Sequence, residues 1–98
     1  MTEEQVVDIL SRLKVDIGIK STTAYDERLS QIIESSYQSI IEEGASTLDA
    51  SSERDIELIV MYSAWVWNGR RTGDKMHQML RWNLNNRIFS EKAKKWTM

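Results

Sequence analysis

The feature that most constrains this chain is a run at residues 56–67 in which only Glu57 and Ser63 are polar. At about 100° per residue, a helix of this sequence is apolar on every side. Such a helix must be surrounded by other elements or by lipid, and this run is shorter than the about 20 residues that span a bilayer. We therefore expect the central helix of a bundle, away from any membrane. Trp65 and Trp67 lie about 160° apart on this helix, so at least one should be fully buried.

The composition fits a single all-α domain. The 98 residues include no proline, which would interrupt long helices, and no cysteine, which excludes disulfides and thiolate ligands. A chain of this length forms one domain with a modest core. We expect a small four-helix bundle over residues 1–98, with the apolar run as helix 3 and residues 93–98 as a short basic tail.

The first half of the sequence predicts two amphipathic helices and a connector. Thr2 and Gln5 have the spacing of a capping box at the start of helix 1. Residues 14–21 break the helical period, because apolar and polar residues alternate there, and this predicts a short extended connector. Helix 2 is expected to begin near residues 22–23, which are suitable N-caps, and to end before Gly44.

The second half predicts a helical hairpin. Ser52 and Asp55 have the spacing of an N-cap and its N3 partner at the start of helix 3, which should end at Gly69. Asp74 is the expected N-cap of helix 4, which should run to about Ala93.

Helix 4 is predicted to carry two apolar stripes. One stripe, with four-residue spacing, consists of Met76, Leu80, Leu84 and Ile88. Trp82 and Phe89 form a second stripe, roughly 100–160° away. Because an outer helix of a small bundle buries one face, the second stripe indicates either a protein partner or a cap over the end of the bundle.

Charge is divided unevenly along the chain. Residues 1–69 hold 5 Lys/Arg and 13 Asp/Glu, whereas residues 70–98 hold 8 and 2. Three interpretations fit this division. The basic part binds nucleic acid, the acidic part of one copy meets the basic part of another, or the charge is simply solvated.

Groups that carry chemistry are sparse, and the sequence predicts no enzyme. His77 is the only histidine and cysteine is absent, so one chain cannot supply a multi-histidine or thiolate metal site. Carboxylate pairs such as Asp26 and Glu27 occur where helices begin. We expect no catalytic, metal or cofactor site. Helix 4 is also unlike a DNA-reading helix, because its start at residues 76–80 is too apolar to reach base edges.

Two segments resemble a known family of virion proteins. Residues 61–92 read MYSAWVWNGRRTGDKMHQMLRWNLNNRIFSEK, and residues 13–44 read LKVDIGIKSTTAYDERLSQIIESSYQSIIEEG. In helix lengths and apolar spacing both resemble the head–tail connector proteins (adaptor or head-completion proteins) of long-tailed bacteriophages and prophages. The most distinctive piece is LRWNLNNRIF. The chain departs from the family at the basic pair Arg70 and Arg71, where mixed charge is expected.

The resemblance implies a structural role in virion assembly. Members of this family form a ring of about twelve copies, a closed cyclic oligomer, beneath the portal protein of a filled capsid. It implies that this chain joins the portal to a stopper or tail-completion protein and extends the channel for DNA packaging. Packaged DNA would pass without specific binding, since the acidic first part repels it. The expected location is the bacterial host cytoplasm during assembly and then the head–tail interface.

We expect ring and portal contacts to use the basic, aromatic-bearing C-terminal part. Trp82 and Phe89 would supply apolar anchors, and neighbouring cations would set register. The predicted interface residues are Arg70, Arg71, Arg81, Trp82, Arg87, Phe89, Lys94, Lys95 and Trp96. The alternative that the sequence leaves open is a small helical regulator that binds nucleic acid through the same part.

Overall fold

Four helices account for most of the structure, a computed structural model that describes residues 1–72, 76 and 78–96, with the side chains of 70–72 and 94–96 outside that description. The helices are α1 (Glu3–Ile17), α2 (Asp26–Glu43), α3 (Glu53–Thr72) and α4 (Gln78–Trp96). Over the described ranges no strand occurs. The predicted all-α four-helix bundle is therefore confirmed.

Helix α3 is the centre of the bundle, as its apolar run predicts. It packs against each of the other three helices, and the Ile59 side chain is completely buried. The prediction that Trp65 or Trp67 would be fully buried is wrong, since both are half-buried. Each indole reaches the rim of the core, where Trp67 packs edge-to-face on Tyr25 and Trp65 on Tyr62, with ring centroids 5.5 Å apart in both pairs.

Glu53 and Asp55 show how α1 and α4 are arranged about α3. The two carboxylates are two residues apart in sequence, so they project from α3 about 160° apart. Glu53 accepts hydrogen bonds from Arg12 of α1 at 2.8 and 2.9 Å, and Asp55 accepts one from Arg87 of α4 at 2.9 Å. α1 and α4 therefore lie on opposite sides of α3, while α2 packs against α1 and α3.

The first helix is longer than its sequence pattern predicts. α1 continues to Ile17 and ends at Gly18, whose φ of 80° is left-handed and whose amide bonds the carbonyl oxygens of the last turn. Ile17 packs against the core, and Lys14 forms an ion pair with Asp26 at 2.8 Å. These tertiary contacts stabilise a helix where alternation alone suggested an extended segment. The connector keeps its length but is displaced towards the C-terminus, to residues 18–25.

Other helix ends test the capping predictions directly. The Thr2–Gln5 capping box is confirmed, with hydrogen bonds of 2.9 and 3.1 Å. Gly44 is confirmed as the end of α2, with φ at 136°, and a Cβ added there would lie 3.0 Å from Ile88. The predicted start of α2 is wrong by about three residues. The Thr22 hydroxyl accepts from the Ala24 amide instead of capping the helix, which begins at residue 26.

The boundaries of the hairpin also differ from the prediction. α3 passes through Gly69 to residue 72, since a single glycine is tolerated inside a helix. α4 continues beyond Ala93 to residue 96, so most of the predicted tail is helical, as expected for alanine and lysine, which favour helix. The predicted N-cap Asp74 lies outside the described residues.

The burial of Ile59 makes a direct test of the core. Ile59→Asp should abolish cooperative thermal unfolding, because a buried unpaired charge costs several kcal/mol against a total stability of about 5–15 kcal/mol. Ile59→Ala should lower the free energy of unfolding by about 2–5 kcal/mol. The control is Val7→Asp, the same kind of change at an exposed position of α1, which should melt cooperatively. A cooperatively melting Ile59→Asp protein would contradict the bundle.

Candidate protein interface on helix α4

Helix α4 presents two different faces. Its inner face follows a four-three-four spacing and consists of Leu80, Leu84, Arg87 and Glu91, all buried. Trp82 is two residues from Leu84, and Phe89 is two residues from Arg87. Each aromatic residue therefore lies about 160° around the helix from the inner face. The side of α4 turned away from the bundle is therefore the side that carries the aromatic rings.

A polar network on the inner face joins α4 to the rest of the molecule. Arg87 Nε donates to Asp55 Oδ1 at 2.9 Å, and Arg87 Nη1 donates to Glu91 Oε1 at 3.2 Å. Glu91 Oε1 also accepts from the Thr47 amide at 2.6 Å and from the Thr47 hydroxyl. Asp55 Oδ2 accepts from the Asp49 amide at 2.9 Å. The network thus connects α4 with the α2–α3 loop and the start of α3.

The network favours the ionised forms of Glu91 and Arg87. Hydrogen bonding from the Thr47 hydroxyl, and then from the Thr47 amide and Arg87, lowers the pKa of Glu91 from 4.5 to about 2, against the opposing effect of burial. Burial acts to lower the pKa of Arg87, but hydrogen bonds and charge from Asp55 and Glu91 outweigh it and raise that pKa overall. The guanidinium and the Glu91 carboxylate are therefore both charged at neutral pH.

Arg87 requires a correction to the predicted interface. It is 6% exposed, and its guanidinium binds carboxylates of its own chain, so it is not available to set the register of a partner. Asp55 likewise serves this network and is not the N3 partner expected for Ser52. One feature of the sequence indicates the burial of Arg87. It lies three residues after Leu84 and four before Glu91, which is the spacing of residues on the same helix face.

The aromatic residues of the outer face are mostly exposed. Trp82 is 64% exposed and Phe89 is 71% exposed, and they are separated by about 10 Å along the helix axis. Neither ring belongs to the hydrophobic core or packs against it. They do not cap the end of the bundle, which was the other interpretation of this stripe. Large apolar side chains exposed on one face of a helix are typical of an interaction surface.

The remaining predicted interface residues fall into two groups. Arg81 is exposed, beside Trp82, and Lys92 adds a second exposed cation to the same helix. The other predicted residues are Arg70, Arg71, Lys94, Lys95 and Trp96, and their side chains lie outside the described ones.

A small cavity lies beside the network. It measures about 70 Å³ and lies between α3 and α4, where Asn83 donates to Met61 Sδ at 3.6 Å. Ligand pockets are usually roughly 300–1,000 Å³. Within the described part of the chain, no cluster of three or more potential metal ligands occurs and no helix is long and apolar enough to cross a bilayer.

In comparisons with known proteins, no family model, no curated protein and no solved structure matches this chain. The geometry of α4 therefore carries the functional argument.

Removing the cation tests the network. Arg87→Ala leaves Asp55 and Glu91 buried without their partner, which should lower the free energy of unfolding by about 3–5 kcal/mol in urea denaturation. Arg81→Ala makes the same change at an exposed position of the same helix and should alter stability by less than about 0.5 kcal/mol. Equal effects of the two substitutions would contradict the intramolecular role of Arg87.

The low pKa of Glu91 gives a pH dependence with a definite sign. Its folded-state pKa of about 2 is below the ordinary 4.5, so ionised Glu91 stabilises the folded protein above pH 4.5, and this contribution is lost as pH falls towards 2. Glu91→Gln should therefore be less stable than wild type at pH 7, by a margin that shrinks across this window. Thr47→Val, which removes a donor to Glu91, should shift the loss to higher pH. A pH-independent margin would show that Glu91 is not held ionised.

Proposed function

We propose that this protein is a structural component of a bacteriophage particle that assembles as a ring between the capsid portal and the tail machinery. The observation that carries the proposal is the outward aromatic face of α4, formed by Trp82 and Phe89. The resemblance of residues 13–44 and 61–92 to head–tail connector proteins supplies the kind of assembly. In this role the protein extends the DNA channel and binds the portal, a stopper or tail-completion protein, and its own copies.

The aromatic face has the physical character of a protein contact. Tryptophan and phenylalanine bury a large area with few rotatable bonds, so they are the residues that dominate interface energy. Arg87 and Asp55 fix α4 on the bundle, which presents both rings from a rigid helix. A rigid anchor loses little conformational entropy on binding. The face is therefore suited to a lasting assembly contact.

The charge of α2 supports a place beside the DNA channel. Its exposed side carries Glu27, Glu34, Glu42 and Glu43. A negative wall repels the phosphate backbone and lets duplex DNA move without being held. By contrast, the nucleic-acid-binding alternative loses Arg87, which is buried in the network, and the outermost residues of α4 are aromatic.

The assembly is tested by mixing the protein with the portal protein of the same phage or prophage and imaging the complex by electron microscopy. Wild type should add a ring of density to the portal, and the double variant Trp82→Ala, Phe89→Ala should fold normally and add none. Gln31→Ala, at an exposed polar position of α2, is the control and should bind like wild type. Normal ring formation by the double variant, or no ring with wild type, would contradict the proposal.

Binding to DNA separates the connector from the regulator. A channel-wall protein should bind duplex DNA only at non-specific strength, with a Kd weaker than about 10⁻⁶ M at physiological salt, and with the same affinity for unrelated sequences. Fluorescence anisotropy with several duplexes at two salt concentrations measures this. Sequence-dependent binding in the nanomolar range would favour the regulator.

A further inference from the structure

A second apolar surface lies on the outer side of α1. Val7 is 61% exposed and Val15 is 64% exposed, and they are separated by about 12 Å along the helix axis. This separation is close to the about 10 Å between Trp82 and Phe89. We infer that the outer face of α1 of one copy docks antiparallel on the outer face of α4 of the next. The inference rests on the proposed ring and names the surfaces that form it.

Charge favours this pairing and fixes its direction. Near Val7, α1 carries Glu3 and Glu4 in its first turn, and no ion pair within the described part of the chain engages either residue. Lys92 is exposed near the other end of α4, and Lys94 and Lys95 follow it in the sequence. An antiparallel arrangement brings the acidic start of α1 to the basic end of α4. It also aligns the helix dipoles favourably.

The cations of α1 do not oppose the contact. Arg12 binds Glu53 at 2.8 Å and Lys14 binds Asp26 at 2.8 Å, both within the same copy. The outer face of α1 near Val7 therefore presents mainly negative charge. It complements the exposed cations of α4.

The spacing of α4 is that of a helix-packing seam. Positions 79, 82, 86, 89 and 93 alternate steps of three and four residues, the pattern by which one helix packs along another. Asn86 lies at the centre of this seam. When Val7 faces Phe89 and Val15 faces Trp82, Ser11 faces Asn86. A polar pair at the centre of an apolar contact fixes its register.

Two other occupants from the same chain fit less well. A second α4 would bring Arg81 and Lys92 of two copies together, and like charges in contact are costly. The outer face of α2 offers polar side chains, such as Gln31 and Glu34, instead of an apolar stripe. α1 also lies on the opposite side of α3 from α4. Each copy therefore offers one surface to each neighbour, which is the heterologous geometry that a ring requires.

Disulfide cross-linking tests the contact without background, because the chain has no cysteine. Ser11→Cys and Asn86→Cys are prepared as single variants, mixed, and oxidised both at high concentration alone and on the portal. The mixture should give a covalent dimer, and a chain with both substitutions should give a ladder of oligomers. Ser35→Cys, at an exposed position of α2, is the control and should not link to Asn86→Cys.

A second set of cysteine variants tests whether the two helices pack antiparallel or parallel. Glu4→Cys should link to Ala93→Cys and not to Gln78→Cys, whereas a parallel contact would reverse this result. Three results would overturn the inference. Asn86→Cys could link to itself, or it could link to Ser35→Cys as fast as to Ser11→Cys. The third result is no link between Ser11→Cys and Asn86→Cys either at high concentration or on the portal. Portal rings that form without the Ser11–Asn86 link would leave the connector role standing. The link without portal binding would leave the contact standing and reject the connector role.

Discussion

The buried ion pair between Arg87 and Asp55 determines which side of α4 faces outward, and the interaction surface depends on that choice. α4 carries two apolar stripes, and hydrophobic burial alone favours either one against the bundle. Only one orientation brings Arg87 to Asp55, while the reverse would place Trp82 and Phe89 against the bundle and leave the Asp55 carboxylate buried without its partner. A buried ion pair adds little net stability after its desolvation cost, but removing one of the two charges is strongly destabilising because the other stays buried without a partner. In this protein it selects one arrangement of α4.

Because α3 lies at the centre of the bundle, the outer faces of α1 and α4 form two separate surfaces. Glu53 and Asp55 project to opposite sides of α3 and bind α1 and α4 respectively. The molecule is also flat, with principal extents of 47 × 31 × 17 Å. The proposed ring needs two different surfaces on each subunit, and the two sides of this flat molecule supply them. In the proposed ring the acidic exposed side of α2 remains free to face solvent or the DNA channel.

Local sequence signals predicted much of this fold, and long-range contacts decided the rest. The apolar run at 56–67, the capping box at Thr2 and the glycine after α2 each depend on neighbours a few residues away. The burial of Arg87 depends on Asp55, 32 residues earlier, and arginine is usually exposed. Alternation over five residues fits a strand and a helix edge equally well, so the sequence alone predicts an extended segment where the structure has the end of α1. The aromatic stripe was visible in the sequence, but only the fold shows that both rings face outward.

In the proposed assembly the outer face of α4 is covered, and hydroxyl-radical footprinting measures this directly. The free protein and the same protein in its portal complex are oxidised and analysed by mass spectrometry. Trp82 and Phe89 should react readily in the free protein, as their exposure predicts, and should be protected several-fold in the complex, while the exposed residue Tyr25 reacts equally in both. Equal reactivity of Trp82 and Phe89 in the two states would contradict the account, since α4 would then face solvent in the assembled particle.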